Sequence, residues 1–213
     1  MVRESPRIRR LRSDLRAIER LKDESSILDF STNRPAGGGS PDYYVFRFNG
    51  RGFYRPDGSR EIQLRDFHEI TIQLGAAYPR MMPELAWRTP IFHPNISASG
   101  VVCLGGYGTH WVPSVNLDEL CHMLWDMIRY QNYDVESPYN REAAAWAKTQ
   151  TRFRLPVDSR PLRDKVASGA TAPRVIELVG RDPEVSFVEI VDAEVVTDAP
   201  APRQPDPDIL FIE

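Results

Sequence analysis

The residue with the clearest potential for covalent chemistry is Cys103, which lies in an irregular stretch of the chain. Gly100 and Gly105 flank it, so the backbone can turn closely around the thiol. A thiolate is a strong nucleophile, and attack on a carbonyl also needs a group that stabilises the developing negative charge. Asn95, eight residues before Cys103, carries an amide donor, and Trp111 stands eight residues after it. If Cys103 carries out covalent chemistry, Asn95 is a candidate for the group that stabilises this charge.

Two other interpretations of this cysteine are open. A Cys-His hydrolase would use His93 or His110 as its base, and it needs that histidine close to the thiol. In the other interpretation Cys103 has a purely structural role. The second cysteine, Cys121, is predicted to be structural, because it falls on the apolar stripe of a predicted helix, where a free thiol behaves as a small buried hydrophobe.

The composition excludes several classes of protein. The 213 residues carry 27 Lys and Arg against 30 Asp and Glu, a net charge of -3, which gives no indication of a nucleic-acid partner. The two cysteines do not make a disulfide framework, and no CxxC spacing suggests a metal site. Neither a signal segment nor an apolar run long enough to cross a bilayer is found. We therefore expect a cytoplasmic protein without a metal, a cofactor or a membrane partner.

An amphipathic helix is predicted at the start of the chain. Ser5-Pro6 is a typical helix start, and apolar residues recur from Ile8 to Leu21 at spacings of three and four. The remaining surface is basic, since residues 1–22 hold eight Arg and Lys against three Asp and Glu. It is either a solvated face or a docking face for an acidic partner. The arginines that would form this docking face are Arg9, Arg12, Arg16 and Arg20.

Strand patterns follow the helix in residues 43–48, 70–74 and 85–87, where aromatic and β-branched residues cluster or alternate with polar ones. The short connections between these segments favour an antiparallel meander. Asn49-Gly50 predicts a turn after the first segment, and residues 31–42 predict a loop before it.

Two further helices are predicted in the second half of the chain. Asn116 and Glu119 have the spacing of a capping box, and an apolar stripe that includes Cys121 follows them. Asn140 begins the next helix.

The composition and pattern of the sequence change after that helix. Residues 175–179 and 185–191 predict two short strands, and a Pro-rich tail follows them. Residues 174–213 carry ten Asp and Glu against three Arg, so this end is acidic whereas the first helix is basic. We therefore divide the chain into a core, residues 1–155, and a C-terminal extension, residues 156–213.

A longer motif surrounds the reactive cysteine. It consists of Tyr-Pro, a further Pro, His-Pro-Asn, Gly, Cys and Trp-x-Pro, in that order. The residues are Tyr78, Pro79, Pro83, His93, Pro94, Asn95, Gly100, Cys103, Trp111 and Pro113. This motif resembles the catalytic core of the ubiquitin-conjugating enzyme family. Asn132 and residues 140–144 resemble the segment that leads into the family's next helix, so the resemblance extends over roughly residues 5–153.

The resemblance implies an α+β fold of the ubiquitin-conjugating type, with an N-terminal helix, a four-stranded antiparallel meander, an active-site loop and C-terminal helices. It also implies a transferase. Cys103 would accept the C-terminal glycine of a ubiquitin-like modifier as a thioester from an activating enzyme. It would then transfer that glycine to an amine, such as the lysine of a target protein.

The family resemblance also implies roles for the residues around the thiol. Asn95 either donates to the oxyanion or holds the active-site loop in shape. Four other motif residues shape that loop: His93, Pro94, Trp111 and Pro113. In this family an acidic residue before the next helix often helps to prepare the incoming lysine. The candidates in that region are Asp134, Glu136 and Ser137.

Three departures from the family pattern concern the partners. Gly105 replaces a common Asp, Arg80 replaces an aromatic residue that ligases contact, and a usual Pro is missing around Gln131. Met81 and Met82 offer a different apolar contact, so participation of a ligase is open. With 24 Arg among the 27 basic residues, these changes suggest a bacterial relative. Such relatives are encoded beside an activating enzyme, a modifier and a peptidase, often in antiphage operons.

The resemblance gives the basic face of the first helix a partner, the activating enzyme. The alternative function is a non-catalytic scaffold with the same fold, which would bind peptides or modifiers. Inactive variants of the family usually lack the cysteine, so the presence of Cys103 favours the enzyme.

Overall fold

The computed structural model describes residues 4–33, 39–105 and 111–167, all within one compact unit. These residues form an α+β fold. In chain order its elements are α1 (Pro6–Asp23), β1 (Leu28–Thr32), β2 (Tyr43–Tyr54), β3 (Gln63–Gln73), β4 (Glu84–Trp87), α2 (Leu117–Ile128), α3 (Arg141–Thr149) and α4 (Asp164–Ala167).

The four strands form one antiparallel sheet in the order β1-β2-β3-β4, which confirms the predicted meander. The loop predicted for residues 31–42 is wrong at its beginning, because β1 runs to Thr32. Leu28 is buried and pairs with Phe48 of β2. Pairing with β2 therefore decides the conformation of a segment whose polar end is typical of a loop.

The turn predicted at Asn49-Gly50 is also wrong. β2 continues to Tyr54, and the register shifts between Asn49 and Gly52 as in a β-bulge. A Cβ at Gly50 would lie 2.2 Å from a ring carbon of Trp125, and one at Gly52 would lie 2.6 Å from a ring nitrogen of His68. These glycines permit close packing of side chains against the strand, and the chain reverses only after Tyr54.

Helix α1 begins as predicted, with the Ser5 hydroxyl accepting a hydrogen bond from the backbone N–H of Ile8. Leu11, Ile18 and Leu21 are buried on its inner face, whereas Ile8 is 44% exposed. The apolar stripe therefore starts one turn later than the spacing predicts.

The main core lies between the sheet, α1 and α2. Helix α2 has the predicted start, because the Glu119 carboxylate accepts a hydrogen bond of 2.8 Å from the backbone N–H of Asn116. Cys121 is fully buried on its inner face, as predicted. Trp125 from the same helix stacks on Phe48, with ring centroids 6.4 Å apart.

A second apolar cluster packs under α3. Phe53 at the end of β2 meets Trp146 of α3 edge to face, with ring centroids 4.8 Å apart. The Tyr130 hydroxyl donates a hydrogen bond of 2.6 Å to the Phe92 carbonyl. This cluster fixes α3 beside residues 93–95.

Residues 156–167, the first part of the predicted extension, are bonded to the core. The Trp125 indole N–H donates to the Arg160 carbonyl at 2.9 Å, and Leu162 is buried. The Asp164 carboxylate accepts a hydrogen bond of 2.7 Å from the backbone N–H of Ser26. The strands predicted in residues 175–191 and the acidic tail lie outside the described residues.

Within residues 4–33, 39–105 and 111–167, no helix is long and apolar enough to cross a membrane. The same residues bring together no group of three or more His, Cys, Asp or Glu side chains that could hold a metal ion.

Candidate active site

Cys103 follows a sharp turn that returns the chain to the sheet. Gly100 makes this turn with a φ of 84°, and a Cβ at this position would lie 2.2 Å from the Trp87 carbonyl oxygen. Only glycine fits such a close approach in a left-handed conformation. The backbone N–H of Cys103 then donates a hydrogen bond of 2.9 Å to the Asn95 carbonyl, and its thiol is half-buried. The cysteine is thus held by its backbone, and its side chain retains access to solvent.

His93 is completely buried and does not act as a base toward the thiol. Its Nδ1 accepts a hydrogen bond of 3.0 Å from the backbone N–H of Asn95, and its ring meets Tyr130 edge to face. Burial lowers the pKa of His93 to about 3, so the ring is neutral near pH 7. These contacts disfavour a Cys-His hydrolase with this residue. His110, the other candidate base, lies outside the described residues.

The side chain of Asn95 makes two hydrogen bonds with the backbone of a single residue. Its Nδ2 donates to the Asp134 carbonyl at 2.9 Å, and its Oδ1 accepts from the Asp134 N–H at 2.7 Å. The amide is almost fully buried, with 6% of Asn95 exposed. This arrangement joins the segment that supports Cys103 to the loop before α3.

The comparison with known protein families concerns the part of the chain that contains these residues. Residues 64–159 match the family model described as ubiquitin-conjugating enzyme. This part of the chain is therefore similar to ubiquitin-conjugating enzymes. The resemblance predicted from the motif is therefore confirmed at the level of the family.

Two curated relatives support this assignment. Ubiquitin-conjugating enzyme E2 16 of Schizosaccharomyces pombe is 36% identical over 81 residues, which are 38% of this chain and 49% of the relative. Nedd8-conjugating enzyme UbcE2M of Drosophila melanogaster is 33% identical over 101 residues, which are 47% of this chain and 50% of the relative. The chain therefore spans about half the length of these curated relatives.

The structural comparison confirms the predicted fold. S. cerevisiae Ubc12 superposes with a TM-score of 0.53 over 76% of this chain and 78% of that chain, at 19% sequence identity. The ubiquitin-conjugating fold thus includes α1 and the four-stranded sheet as well as the motif residues.

The two acidic residues predicted for the site of this ubiquitin-conjugating domain have other partners. The Asp134 carboxylate accepts a hydrogen bond of 2.7 Å from the Glu136 N–H and one of 3.3 Å from the Ser137 N–H. The exposed Glu136 carboxylate forms a salt bridge of 2.8 Å with Lys148 of α3. Asp134 shapes its own turn, and its main chain is what contacts Asn95.

Trp111 and Pro113 hold the segment after the active-site loop. The Trp111 indole N–H donates to the Pro79 carbonyl at 2.7 Å, and the Pro113 carbonyl accepts from the Arg10 guanidinium at 2.6 Å. Both bonds connect this segment to distant parts of the domain, which favours the structural role predicted for the two residues.

Arg10 also takes part in a buried hydrogen-bond network between α1 and α2. Its guanidinium forms a salt bridge of 2.9 Å with Asp14, whose carboxylate also accepts hydrogen bonds from the Tyr78 hydroxyl and the Leu117 N–H. Burial raises the pKa of Asp14 despite these partners. The network orients the Tyr78-Pro79 and Pro113 segments relative to α1.

The predicted partner-binding residues lie on the surface. Arg9, Arg12 and Arg16 are exposed on α1, and Arg12 pairs with Glu4 at 2.6 Å. Met81 is 65% exposed, whereas Met82 is half-buried. An apolar side chain that is this exposed is available for contact with another protein.

Sequence reasoning missed one residue at the thiol, Tyr139. It immediately precedes Asn140, the N-cap of α3, and its side chain is 54% exposed. The negative charge of the nearby Cys103 thiolate raises the pKa of Tyr139. A single tyrosine before a helix cap has no periodicity or spacing that connects it with a cysteine 36 residues earlier.

Proposed function

We propose that this chain is a conjugating enzyme for a ubiquitin-like protein and that Cys103 carries the modifier. The observation on which the proposal depends is the half-buried thiol on a backbone fixed by the Cys103 N–H to Asn95 carbonyl bond. This thiol lies within the residues that match the ubiquitin-conjugating family.

The proposed reaction has two acyl transfers. The Cys103 thiolate first attacks the carbonyl carbon of the thioester between the modifier's terminal glycine and a cysteine of the activating enzyme. The new C–S bond forms, and the activating enzyme's sulfur leaves as a thiolate. In the second transfer an amine attacks the Cys103 thioester, the sulfur leaves with the electron pair, and the nitrogen loses a proton. The product with a lysine is an isopeptide.

In this mechanism Asn95 positions the loop, since its side-chain amide is bonded to the Asp134 backbone. A direct bond from its second Nδ2 hydrogen to the oxyanion is the alternative role. Asp134 and Glu136 are the acidic candidates for receiving the amine. Glu136 has the exposed carboxylate, and it would exchange its salt bridge with Lys148 for the incoming lysine.

The surface of the domain offers candidate contacts for these partners. The basic face of α1, formed by Arg9, Arg12 and Arg16, is the proposed contact for the activating enzyme. Met81 and Met82 are the proposed contact for a further partner, such as a ligase. The finer proposal is a bacterial pathway in the cytoplasm with an antiphage role, motivated by the Arg-rich composition and by Gly105, Arg80 and Gln131.

Loading in vitro tests the function. The chain is incubated with Mg-ATP and either NEDD8 or ubiquitin, each with its own activating enzyme, because relatives carry those names. The third pair is a ubiquitin-like modifier and an activating enzyme encoded by genes next to the gene for this chain. We expect a species that is stable on non-reducing gels and lost on reduction.

Two variants localise the thioester. Cys103→Ser should give an ester that resists reduction, or no adduct. Cys121→Ala should load like the unmodified chain, because this substitution removes the second thiol without burying a hydroxyl in α2. A reducible adduct on Cys103→Ser, or none on the unmodified chain with all three pairs, would contradict the proposed function.

A further inference from the structure

Glu136 and Lys148 form a salt bridge between the loop before α3 and the last turn of that helix. The Glu136 Oε1 lies 2.8 Å from the Lys148 Nζ, and the two side chains are 80% and 47% exposed. An ion pair in solvent is weak, so the ammonium leaves the carboxylate easily. The Glu136 carboxylate is therefore a group that holds a lysine ammonium and can exchange it for another.

Both partners of this bridge are anchored on the same short segment. The Glu136 N–H bonds to the Asp134 carboxylate, and the Asp134 backbone bonds to the Asn95 side chain. Helix α3 is attached beside it, because the Asn140 N–H donates to the Pro94 carbonyl at 2.8 Å. The bridge therefore connects two elements that are both bound to the segment supporting the reactive cysteine.

The other two lysines of the chain are held at the end of α1, and all three lie in the part of the chain that the structure describes. The Lys22 Nζ lies 2.5 Å from an Asp29 carboxylate oxygen, and the Lys165 Nζ donates to the Asp23 carbonyl at 3.1 Å. Among the three, Lys148 alone is on the helix that follows the loop of the predicted acidic residues.

We propose that Lys148 takes the place of an acceptor lysine on Glu136 in the resting enzyme and competes with that lysine for the carboxylate. This inference rests on the proposed function. Glu136 then binds the acceptor, since the Asp134 carboxylate already accepts bonds from the Glu136 and Ser137 N–H groups. Lys148 is a positioning residue, because the apparent affinity for the acceptor falls with the fraction of molecules in which Lys148 occupies Glu136.

The competition concerns the binding step and does not alter the acyl transfer. The incoming lysine, protonated near neutral pH, displaces the Lys148 ammonium from Glu136. The bound ammonium loses one proton to water, and its nitrogen forms the new C–N bond with the thioester carbonyl carbon. The C–S bond breaks, and the Cys103 sulfur leaves with the electron pair. Substitution of Lys148 should therefore change the KM for lysine and leave kcat unchanged.

The first experiment measures aminolysis with a small acyl group in place of a modifier. Cys103 is acylated by exchange with the mercaptobenzoate thioester of N-acetylglycine, and its aminolysis at several concentrations of free lysine is followed by intact mass spectrometry. Lys148→Gln should lower the KM for lysine about threefold and leave the rate at saturating lysine unchanged. The matched control is Arg141→Gln, which removes the same charge from an exposed position in the first turn of α3 and should change neither constant by more than about 1.5-fold.

Two further variants separate competition for the carboxylate from other effects of Lys148. Lys148→Arg keeps a cation for Glu136 but has no primary amine, so its KM should equal or exceed that of the unmodified chain. If Lys148 instead acts by taking the acyl group itself, Lys148→Arg should behave like Lys148→Gln, and the proposal would be wrong. Glu136→Gln should raise the KM, and Lys148→Gln added to it should have no further effect, because the carboxylate for which the two amines compete is gone. An unchanged KM in Lys148→Gln, or an equal effect of that substitution with and without the Glu136 carboxylate, would overturn the proposal.

These outcomes are independent of whether the chain conjugates a modifier, because the probe needs neither an activating enzyme nor a modifier. If no modifier loads but the KM values change as expected, the proposed function fails and the competition at Glu136 stands. If Cys103 loads a modifier but Lys148→Gln has the KM of the unmodified chain, the function stands and the role of Lys148 is wrong.

Discussion

The two cysteines of the chain are held by opposite physical means. Cys121 lies in the apolar core of α2, where it is fully buried among aliphatic and aromatic side chains, and burial raises the pKa of its thiol. Cys103 lies on a loop supported by buried polar groups, His93 and Asn95, whose side chains bond to the backbone. Apolar packing keeps a thiol inert. A polar, hydrogen-bonded support can fix the backbone of a cysteine and leave its sulfur accessible.

The largest expected effect is a difference in chemical reactivity between the two thiols. With iodoacetamide at pH 8, Cys103 should react in the native protein, whereas Cys121 should wait for unfolding. Given the marginal stability of ordinary domains, the rates should differ by roughly a thousandfold or more. A time course read by peptide mass spectrometry measures both sites at once, and denaturant supplies the control in which the rates converge. Comparable native rates would mean that Cys121 is not protected as its burial indicates.

Removal of the Asn95 amide tests the polar support. Asn95→Ala loses both bonds to the Asp134 backbone, so we expect the free energy of unfolding to fall by about 1–3 kcal/mol. Discharge of the Cys103 thioester should slow about tenfold to a hundredfold as the loop loses its position. Urea unfolding and single-turnover discharge measure the two effects.

The matched control for Asn95→Ala is Asn132→Ala, which removes an exposed amide from the loop before α3. It should change neither quantity appreciably. For Asn95→Ala itself, one outcome would favour the oxyanion role: discharge slower by about 10²–10³-fold with an unchanged free energy of unfolding.

Two buried histidines, His93 of the polar support and His68 of β3, should also make the fold sensitive to acid. Burial lowers the pKa of His93 to about 3 and of His68 to about 4, from 6.5 in the unfolded chain. The unfolded state therefore binds protons that the folded state does not. The resulting stability is present above pH 6.5 and is lost as the pH falls toward the folded values. We expect a loss of about 1.4 kcal/mol per pH unit for each histidine in this window. Asp14 contributes in the opposite sense. Its raised pKa means that the folded state binds this proton more tightly than the unfolded state, so its contribution to the free energy of unfolding grows as the pH falls.

Urea unfolding at pH 7.5 and pH 5 checks this expectation. His93→Gln removes one titrating ring but keeps an acceptor for the Asn95 N–H, so it should weaken the pH dependence by about half. His122→Gln is the comparison: burial also lowers the pKa of this partly buried ring, so the variant should weaken the pH dependence in the same direction but by less. Equal pH dependence in His93→Gln and the unmodified chain would show that His93 is not held neutral by burial.

The sequence predicts the parts of the molecule that have a regular pattern. The stripes of α1 and α2, the capping box of Asn116 and the meander all follow from local spacing. The motif around Cys103 identifies the family because it combines rare residue types at fixed separations.

The parts that were not predicted depend on contacts between distant residues. Asn49-Gly50 is a strong local turn signal, but pairing with β3 and packing against Trp125 extend the strand instead. Tyr139 comes near Cys103 because the Asn140 N–H bonds to the Pro94 carbonyl, next to the Asn95 carbonyl that accepts from the Cys103 N–H. Neither contact leaves a pattern in the neighbouring sequence, so local reasoning could not find them.

The smallest expected effect separates delivery of the modifier from its chemistry. Helix α1 packs against α2, on the side of the molecule that carries Cys121, and its basic face is the proposed contact for an activating enzyme. Reversal of two exposed arginines, Arg12→Glu with Arg16→Glu, should raise the concentration needed for half-maximal loading several-fold at low salt. The attraction between solvated charges acts mainly on association and weakens as salt screens it, so the difference should shrink at 0.5 M salt.

Discharge to free lysine should not change, because neither arginine belongs to the polar support of Cys103. Arg60→Glu, at an exposed residue of the β2–β3 connection, is the control for a single charge reversal away from α1. A change in discharge would mean that α1 and the Cys103 loop are coupled, and unchanged loading at low salt would leave α1 with a merely solvated face.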